Sequence, residues 1–504
     1  MCFKLFLAFV ALFFCKEKTC NPQDFGAGSV VCVCNITYCD EFEPVNVKPG
    51  FATIIESSKD GKRFFRRQIS ISTRKENKAT YYETDPYFEI KINRAKKYQR
   101  ILGFGGAFTD SATINIESLP SSMARRIVRD YYSNYGIQYN VGRIPIGGCD
   151  FSTRPYTYDD VEGDFGLKYF SLSKEDLKFK MPSIKYASKV SKSPLWLFAS
   201  AWSAPTWMKT SNSLIGGTLK GKPGGKYYEI WANYLINNGI LVSGLTAQNE
   251  PQLNFPINSM NFSPKNERDF IKFNLGPALK RSGYISKNFS LIIVDDDIIY
   301  LKPFTSTILS DKIARKYVSG IAYHWYKNNA YPRDLIKEVS ERYPDKLLLS
   351  TEACIMGNIS LGNWSRGEAY AKDIIEGLNR GSQGWVDWNL ALNMNGGPNW
   401  VNNYVDAPII VNSEKKEYYK NPMFYILGHF SKLLAPNSIR IDVSINKSQS
   451  NEAICAAFET SKHETIVIVF NPMSTDMNLN IRDPNKGTIV TKLQAKSIMT
   501  IVYN

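Results

Sequence analysis

The chain has 504 residues, more than one ordinary core encloses, so a domain of roughly 250–330 residues with at least one smaller companion is expected. Apolar residues make up 43% and charged residues 22%, the balance of a globular protein, which excludes a disordered chain and a helical membrane bundle. The formal charge of +15 is spread without a long basic run or a nucleic-acid motif. No nucleic-acid partner is therefore expected; a solvated basic surface or an anionic membrane fits the charge better.

Residues 1–19 read as a secretory signal: Lys4 supplies the positive start, and Leu5 to Cys15 form an apolar core too short to span a bilayer. Cys20, Cys32, Cys34 and Cys39 follow at once. Four cysteines allow three pairings, and spacing does not choose between them. A zinc site is the rival, but the C-x-C spacing without histidines argues against it. Cys149, Cys354 and Cys455 stand alone and are expected to be unpaired. Sequons at Asn35, Asn261, Asn288, Asn358, Asn363 and Asn446 are glycosylation candidates on a secretory route.

Residues 50–98 and the segment from about 438 both read as short β-strands, including Ala453–Phe458, Thr465–Asn471 and Ser497–Tyr503. The two ends of the chain are expected to form one β-sandwich with a larger unit between them. In the middle, apolar runs end near Gly105, Pro145, Ser200, Asn249, Asp296, Trp325, Glu352 and Trp388. Amphipathic segments such as Pro182–Val190 and Arg366–Leu378 separate them. Eight such units predict a (β/α)8 barrel. An open doubly wound sheet is the alternative, but Gly103-Phe-Gly-Gly-Ala-Phe108 lacks the third glycine of a phosphate loop and reads as a close backbone approach.

In a barrel all strand C-termini open onto one face. Glu250 would then end the fourth strand and Glu352 the seventh, which brings two carboxylates from distant sequence into one pocket. Hydrolysis of a glycosidic bond with retention needs such a pair, roughly 5–5.5 Å apart, one nucleophilic and one protonated. Arg143 is expected to keep Glu352 ionised, and burial to keep Glu250 protonated. Asn249, Asp150, Trp202, His324, Tyr326, Asp387 and Asn389 stand at the other strand ends. Of Trp202 and Trp207, one is expected in the core and one as a sugar platform. The run Asp295-Asp-Asp297 is read as hydrogen-bonding a helix start or a neighbouring loop rather than as a metal site. No metal or cofactor is expected.

At these residues the chain resembles the glucosylceramidases of glycoside hydrolase family 30, (β/α)8 barrels with an attached β-sandwich. The likeness runs from about Cys20 to the C-terminus. It is carried by Val30-Val-Cys-Val-Cys-Asn-Ile-Thr-Tyr-Cys-Asp40, Gly103-Phe-Gly-Gly-Ala-Phe-Thr-Asp110, Ser203-Ala-Pro-Thr-Trp207, Asn249-Glu-Pro251, His324-Trp-Tyr326, Glu352-Ala-Cys354 and Gly396-Gly-Pro-Asn-Trp-Val401. Asn-Glu-Pro is shared by many barrel glycosidases, whereas the cysteine run is more particular.

The resemblance implies Glu250 as acid/base and Glu352 as nucleophile. Asp150, Phe151, Trp202, Asn249, Tyr326, Trp388 and Asn403 would line the sugar site, with Arg143 and His324 in support. It implies the disulfides Cys20–Cys32 and Cys34–Cys39. It divides the chain into a small disulfide-stapled antiparallel unit (20–45 with 390–421), an immunoglobulin-like sandwich (46–98 with 438–504) and the barrel (99–389 with 422–437).

The implied substrate is membrane-borne glucosylceramide, reached from the lysosomal lumen or outside the cell with help from anionic lipid and a saposin-type activator. A related β-glycosidase acting on a polysaccharide, or a non-catalytic glycolipid-binding protein, are the alternatives. Two departures stand out. Gln248 occupies a position where the family often carries an acid, and the loop Ile355–Trp364 is shorter than in relatives.

Overall fold

The computed structural model describes residues 18–73, 86–237, 242–253, 255–285 and 289–504. The expected signal segment, apart from Lys18 and Thr19, and the Asn288 sequon lie outside the described residues. Eight strands close a parallel barrel: β1 (Gly103–Ala107), β2 (Val141–Ile146), β3 (Trp196–Ala201), β4 (Gly244–Thr246), β5 (Ser290–Asp297), β6 (Val318–His324), β7 (Leu347–Glu352) and β8 (Gly384–Asn389). They follow one another around the ring in chain order, with β8 paired to β1.

Strand alternation sorts the side chains. Val141, Phe198, Ile292, Ala322, Leu349 and Val386 form one buried cluster, one residue from each of six strands, as expected of the packed interior of a barrel. Their sequence neighbours face the helix layer. The two amphipathic segments singled out by periodicity lie within the helices Met181–Val190 and Trp364–Asn379. The second opens on Asn363, whose Oδ1 accepts the Ser365 N–H at 3.1 Å.

Where β1 meets its neighbours β2 and β8 the strands carry glycine because the backbones nearly touch. A Cβ on Gly105 would lie 2.0 Å from the Val141 carbonyl oxygen, and one on Gly384 would lie 2.0 Å from that of Gly103. Neither obstacle is a side chain able to swing aside. Gly105→Ala is therefore expected to destabilise the protein by about 3 kcal/mol or more, seen as a lowered thermal midpoint or a loss of folded yield. An unchanged midpoint would show that β1 and β2 can separate at little cost.

The N-terminal strands Phe51–Ser58, Phe65–Ser70 and Tyr87–Arg100 join six strands from 439–503 in one nine-stranded sheet. Its two edge strands meet through a bridge between Ser72 and Thr488, so the sheet curls around a core that includes Ile54, Phe88, Val467, Leu479 and Ile501. This is the sandwich read from the two chain ends.

A third, five-stranded sheet joins Pro22–Asp24 and Val30–Cys34 to Leu392–Asn393, Ile409–Asn412 and Glu417–Lys420. Disulfides Cys20–Cys32 and Cys34–Cys39 staple it, while Cys149, Cys354 and Cys455 are free and buried. Helix Pro422–Ser431 is buried along its whole length, as an all-round apolar helix must be. From it His429 reaches Ser57 Oγ (3.0 Å) and Thr500 Oγ1 (2.9 Å), which fastens the sandwich to the barrel's flank.

Candidate active site

The C-terminal ends of the strands converge on a cluster of charge. One carboxylate oxygen each of Glu250 and Glu352 and one ring nitrogen of His324 all lie within 4.8 Å of one another. Arg143, on β2 and fully buried, is the hub. Its Nη1 donates to Glu352 Oε2, and its Nη2 to Asn249 Oδ1 at 2.7 Å and Asp295 Oδ2 at 2.9 Å. The Tyr326 hydroxyl donates to the other oxygen of Glu352 at 2.7 Å. Both oxygens of that carboxylate are thus held by donors.

Glu250 meets a different environment: its Oε1 lies 2.9 Å from His324 Nδ1, and His324 Nε2 lies 3.2 Å from Asp295 Oδ1. Asp295 arrives there through a distorted strand. The register of β5 against β6 slips between Val294 and Asp296, and both Val294 (φ 77°) and Asp295 (φ 48°) are left-handed. That backbone is costly for a β-branched valine, and such strain collects at functional sites. The bulge turns Asp295 inward, where Thr351 Oγ1 (2.7 Å) and Ser200 Oγ (3.1 Å) also bind it. From outside, Glu267 accepts the Val294 N–H at 3.4 Å.

Aromatic walls stand beside the carboxylates. Trp202 and Trp388 are stacked with ring centres 5.1 Å apart, and the Arg143 guanidinium lies 5.1 and 5.4 Å from them. Asn403 Nδ2 donates to Asp150 Oδ2 at 2.9 Å. Phe151, also expected at the sugar site, is buried edge-on against Trp388. Trp207 is core, its Nε1 bonded to the Asp159 carbonyl. Asp387 also departs from expectation, because pleat alternation turns it outward to the Tyr370 hydroxyl at 2.7 Å. Two acids of opposite surroundings, an aromatic shelf and convergent polar groups suit a hydroxyl-rich ring with a bond to be cleaved.

The model of the glycosyl hydrolase family 30 TIM-barrel domain matches residues 101–434, and that of the family 30 β-sandwich domain matches residues 437–501. The chain belongs to glycosyl hydrolase family 30. This glycosidase is 40% identical to the lysosomal acid glucosylceramidase of Mus musculus, over 96% of each chain. It is 38% identical to the putative glucosylceramidase 4 of Caenorhabditis elegans, over 97% of this chain and 96% of that one. Among solved structures, SrfJ of Salmonella typhimurium superposes with a TM-score of 0.81 at 27% identity, covering 90% of the glycosidase and 99% of that chain.

The electrostatics of the glycosidase follow from burial set against pairing. Burial opposes ionisation of Asp295, but Arg143 and His324 outweigh it and hold this carboxyl well below the usual range. An anionic Asp295 fixes a proton on His324 Nε2, so Nδ1 and Glu250 Oε1 share the next one. Burial then pushes Glu250 upward, against the pull of His324. Asp150, desolvated and near Glu352, is raised to about 7. Glu267 and Asp296 each rise to about 8, in both cases chiefly through burial.

Those raised groups set a stability trend. Between about pH 4, where such carboxyls ionise in an unfolded chain, and pH 7–8, the native state holds protons that the unfolded state has released. Stability therefore falls as pH rises through that window, while the Asp295 ion pair is lost only in strong acid. The thermal midpoint is expected to be highest near pH 4 and to decline by several degrees toward pH 8. Glu267→Gln should flatten the decline in scanning fluorimetry. A midpoint rising toward pH 8 would contradict it.

Sequence reasoning missed Asp295 and Glu267 as parts of the site. The triplet at the end of the fifth strand was visible. Its reading as a partner for a neighbouring loop holds for Asp296, which accepts the Gln252 N–H at 3.0 Å. No sequence signal marked the bulge that reverses Asp295.

Proposed function

We propose that the glycosidase hydrolyses glucosylceramide to glucose and ceramide by double displacement. The observation that carries this reading is the pair of carboxylates within 4.8 Å, one held by a guanidinium and a phenol, the other sharing a proton with an imidazole. Inverting enzymes keep the two carboxyls roughly 6.5–9.5 Å apart to seat a water between them, and an oxygen pair within 4.8 Å favours the shorter, retaining spacing. Glu352 attacks the anomeric carbon and forms a glycosyl ester as the bond to the ceramide oxygen breaks. Glu250 gives that oxygen its proton. Water then attacks the anomeric carbon and displaces the Glu352 carboxylate, Glu250 takes the water's proton, and glucose leaves with Glu352 restored. Trp202, Trp388, Asp150, Asn249 and Asn403 bind the sugar.

The lipid substrate is supported by full-length relatives named as glucosylceramidases and by the rim of the site. Phe255, Tyr331, Met356, Met394 and Tyr404 sit exposed on loops that follow β4, β6, β7 and β8, all on the catalytic face. No helix among the described residues is long and apolar enough to cross a membrane. The enzyme works at the bilayer surface, where its charge of +15 favours anionic lipid and a saposin-type activator lifts the substrate. The signal segment and the lysosomal relative support delivery to the lysosome lumen, with sugars on sequons such as the exposed Asn358 and Asn446.

The test is purified protein on vesicles of glucosylceramide and phosphatidylserine, beside a β-1,6-glucan, because a Trichoderma harzianum endo-1,6-β-D-glucanase is 26% identical over 67% of this chain and 70% of its own. Release of glucose and ceramide is expected. Cleavage of the glucan alone would replace the substrate, and no turnover even of a fluorogenic β-glucoside would end the catalytic reading.

A further inference from the structure

The turn that carries Glu250 is held by a residue outside the charged network. Strand β4 stops at Thr246, and Glu250 itself is left-handed at φ 40°, a conformation that needs support from its surroundings. The backbone there alternates between its neighbours: Ala247 N–H donates to Ile292, Asn249 N–H to Ala201, and Glu250 N–H to Asp295. Gln248 adds a side-chain brace. It is buried, and its Nε2 lies 3.1 Å from the Ala201 carbonyl oxygen, 2.9 Å from that of Trp202 and 3.0 Å from that of Asn249.

Three carbonyls face one atom, so that atom must be a donor. Turning the amide over would set an oxygen against three oxygens, and Gln248 Oε1 has no hydrogen-bond partner among the described residues. We propose that Gln248 is a positioning residue of the reaction, a donor that cannot ionise and that locks the end of β3 to the Glu250 turn at any working pH. Through the Trp202 carbonyl it fixes the backbone of the sugar shelf; through the Asn249 carbonyl it fixes the residue beside the acid/base group. The inference rests on the reading of Glu250 as acid/base.

A glutamate has the same shape but the opposite consequence. Protonated, it keeps one O–H donor where the amide has two N–H donors; ionised, it presents only acceptors to three carbonyl oxygens and loosens the brace. The charged and titratable groups around the position are Glu250 on its own turn, Arg143 on β2 (bound to Asn249), Asp295 on β5 and Lys209 after β3, whose Nζ donates to Ser203 Oγ at 2.8 Å. Glu250, shared with His324, changes its charge in native and variant alike, and an ionised glutamate at 248 adds a like charge beside it, so the neutral Gln248→Met variant separates loss of the donor from that added charge.

The experiment measures kcat of the full chain on a fluorogenic β-glucoside from pH 4 to pH 8 for the native protein, Gln248→Glu, Gln248→Met and Glu250→Ala. Native turnover, and its loss in Glu250→Ala, tests the reading of the site by itself. The ratio of Gln248→Glu to native kcat is expected to approach one at the acid end and to fall at least about tenfold by pH 7. Gln248→Met, which has no donor at any pH, should be lowered about tenfold with a flat ratio. A flat ratio for the glutamate variant, or native kcat in the methionine variant, would overturn the proposal. Should the glutamate variant fail to fold, the methionine variant alone decides it.

Discussion

Glu250→Ala should lose about 10²–10⁴-fold in turnover of an unactivated glucoside, yet azide should restore product formation from an activated one. A dinitrophenyl leaving group departs without a proton, so Glu352 still forms the glycosyl ester. Azide then attacks the anomeric carbon without needing a base, displaces the Glu352 carboxylate and leaves β-glucosyl azide. Glu352→Ala loses the covalent route itself, at a cost of about 10⁴-fold or more. Azide entering the emptied space attacks once and yields the α-azide. The anomeric proton signal of each product assigns the two roles independently of any rate. Reversed products would exchange the roles, and no azide adduct from either variant would argue against a glycosyl-enzyme.

Arg143→Met is expected to remove activity and much of the stability together. The guanidinium has no exposed surface and holds Glu352, Asn249 and Asp295 at once, so its loss strands two buried carboxylates. Removing one partner of a buried pair costs about 3–5 kcal/mol, and two acids depend on this one. Asp295 would then take up a proton, lose its grip on His324 Nε2 and free the imidazole that shares a proton with Glu250. Turnover should fall by 10³-fold or more, by the same order-of-magnitude reasoning on transition-state energies. Because protonation relieves the stranded acids, the stability deficit should be larger at pH 8 than at pH 5. Arg143→Lys should not rescue, since an ammonium offers no planar fork to bridge three partners. A variant that melts normally and turns over substrate would remove Arg143 from the centre of the site.

The barrel was legible because each strand announces itself twice, as an apolar run and as a chemistry-bearing residue at its end. Thr465–Asn471 and Ser497–Tyr503 were readable to the residue, since both lie in the sandwich core and turns bound them. Glu250, Glu352, Arg143, His324 and Tyr326, expected together from their strand-end positions and the family resemblance, do meet at one end of the barrel. What stayed hidden depends on which way a side chain points. Asp387 and Asp295 both lie at strand ends beside a register shift, but Asp387 precedes the shift in β8 and keeps its outward face, whereas the shift in β5 falls on Asp295 and turns it in. A one-residue slip is enough to exchange faces, and only β5 against β6 in three dimensions reveals it.

The sheet that curls beside the barrel has a consequence for biosynthesis. Strand Phe51–Ser58 pairs along its length with Ser497–Tyr503, nearly the full chain away. During synthesis from the N-terminus, that early strand waits with an unpaired edge until the last residues emerge, while the barrel between them can already assemble. Its partner in waiting is a row of open backbone donors and acceptors, the feature that draws other chains into aggregates. The interval between making residue 58 and residue 497 is thus the chain's most vulnerable period, and a ribosome stalled late would release an enzyme with a finished catalytic face and an open flank.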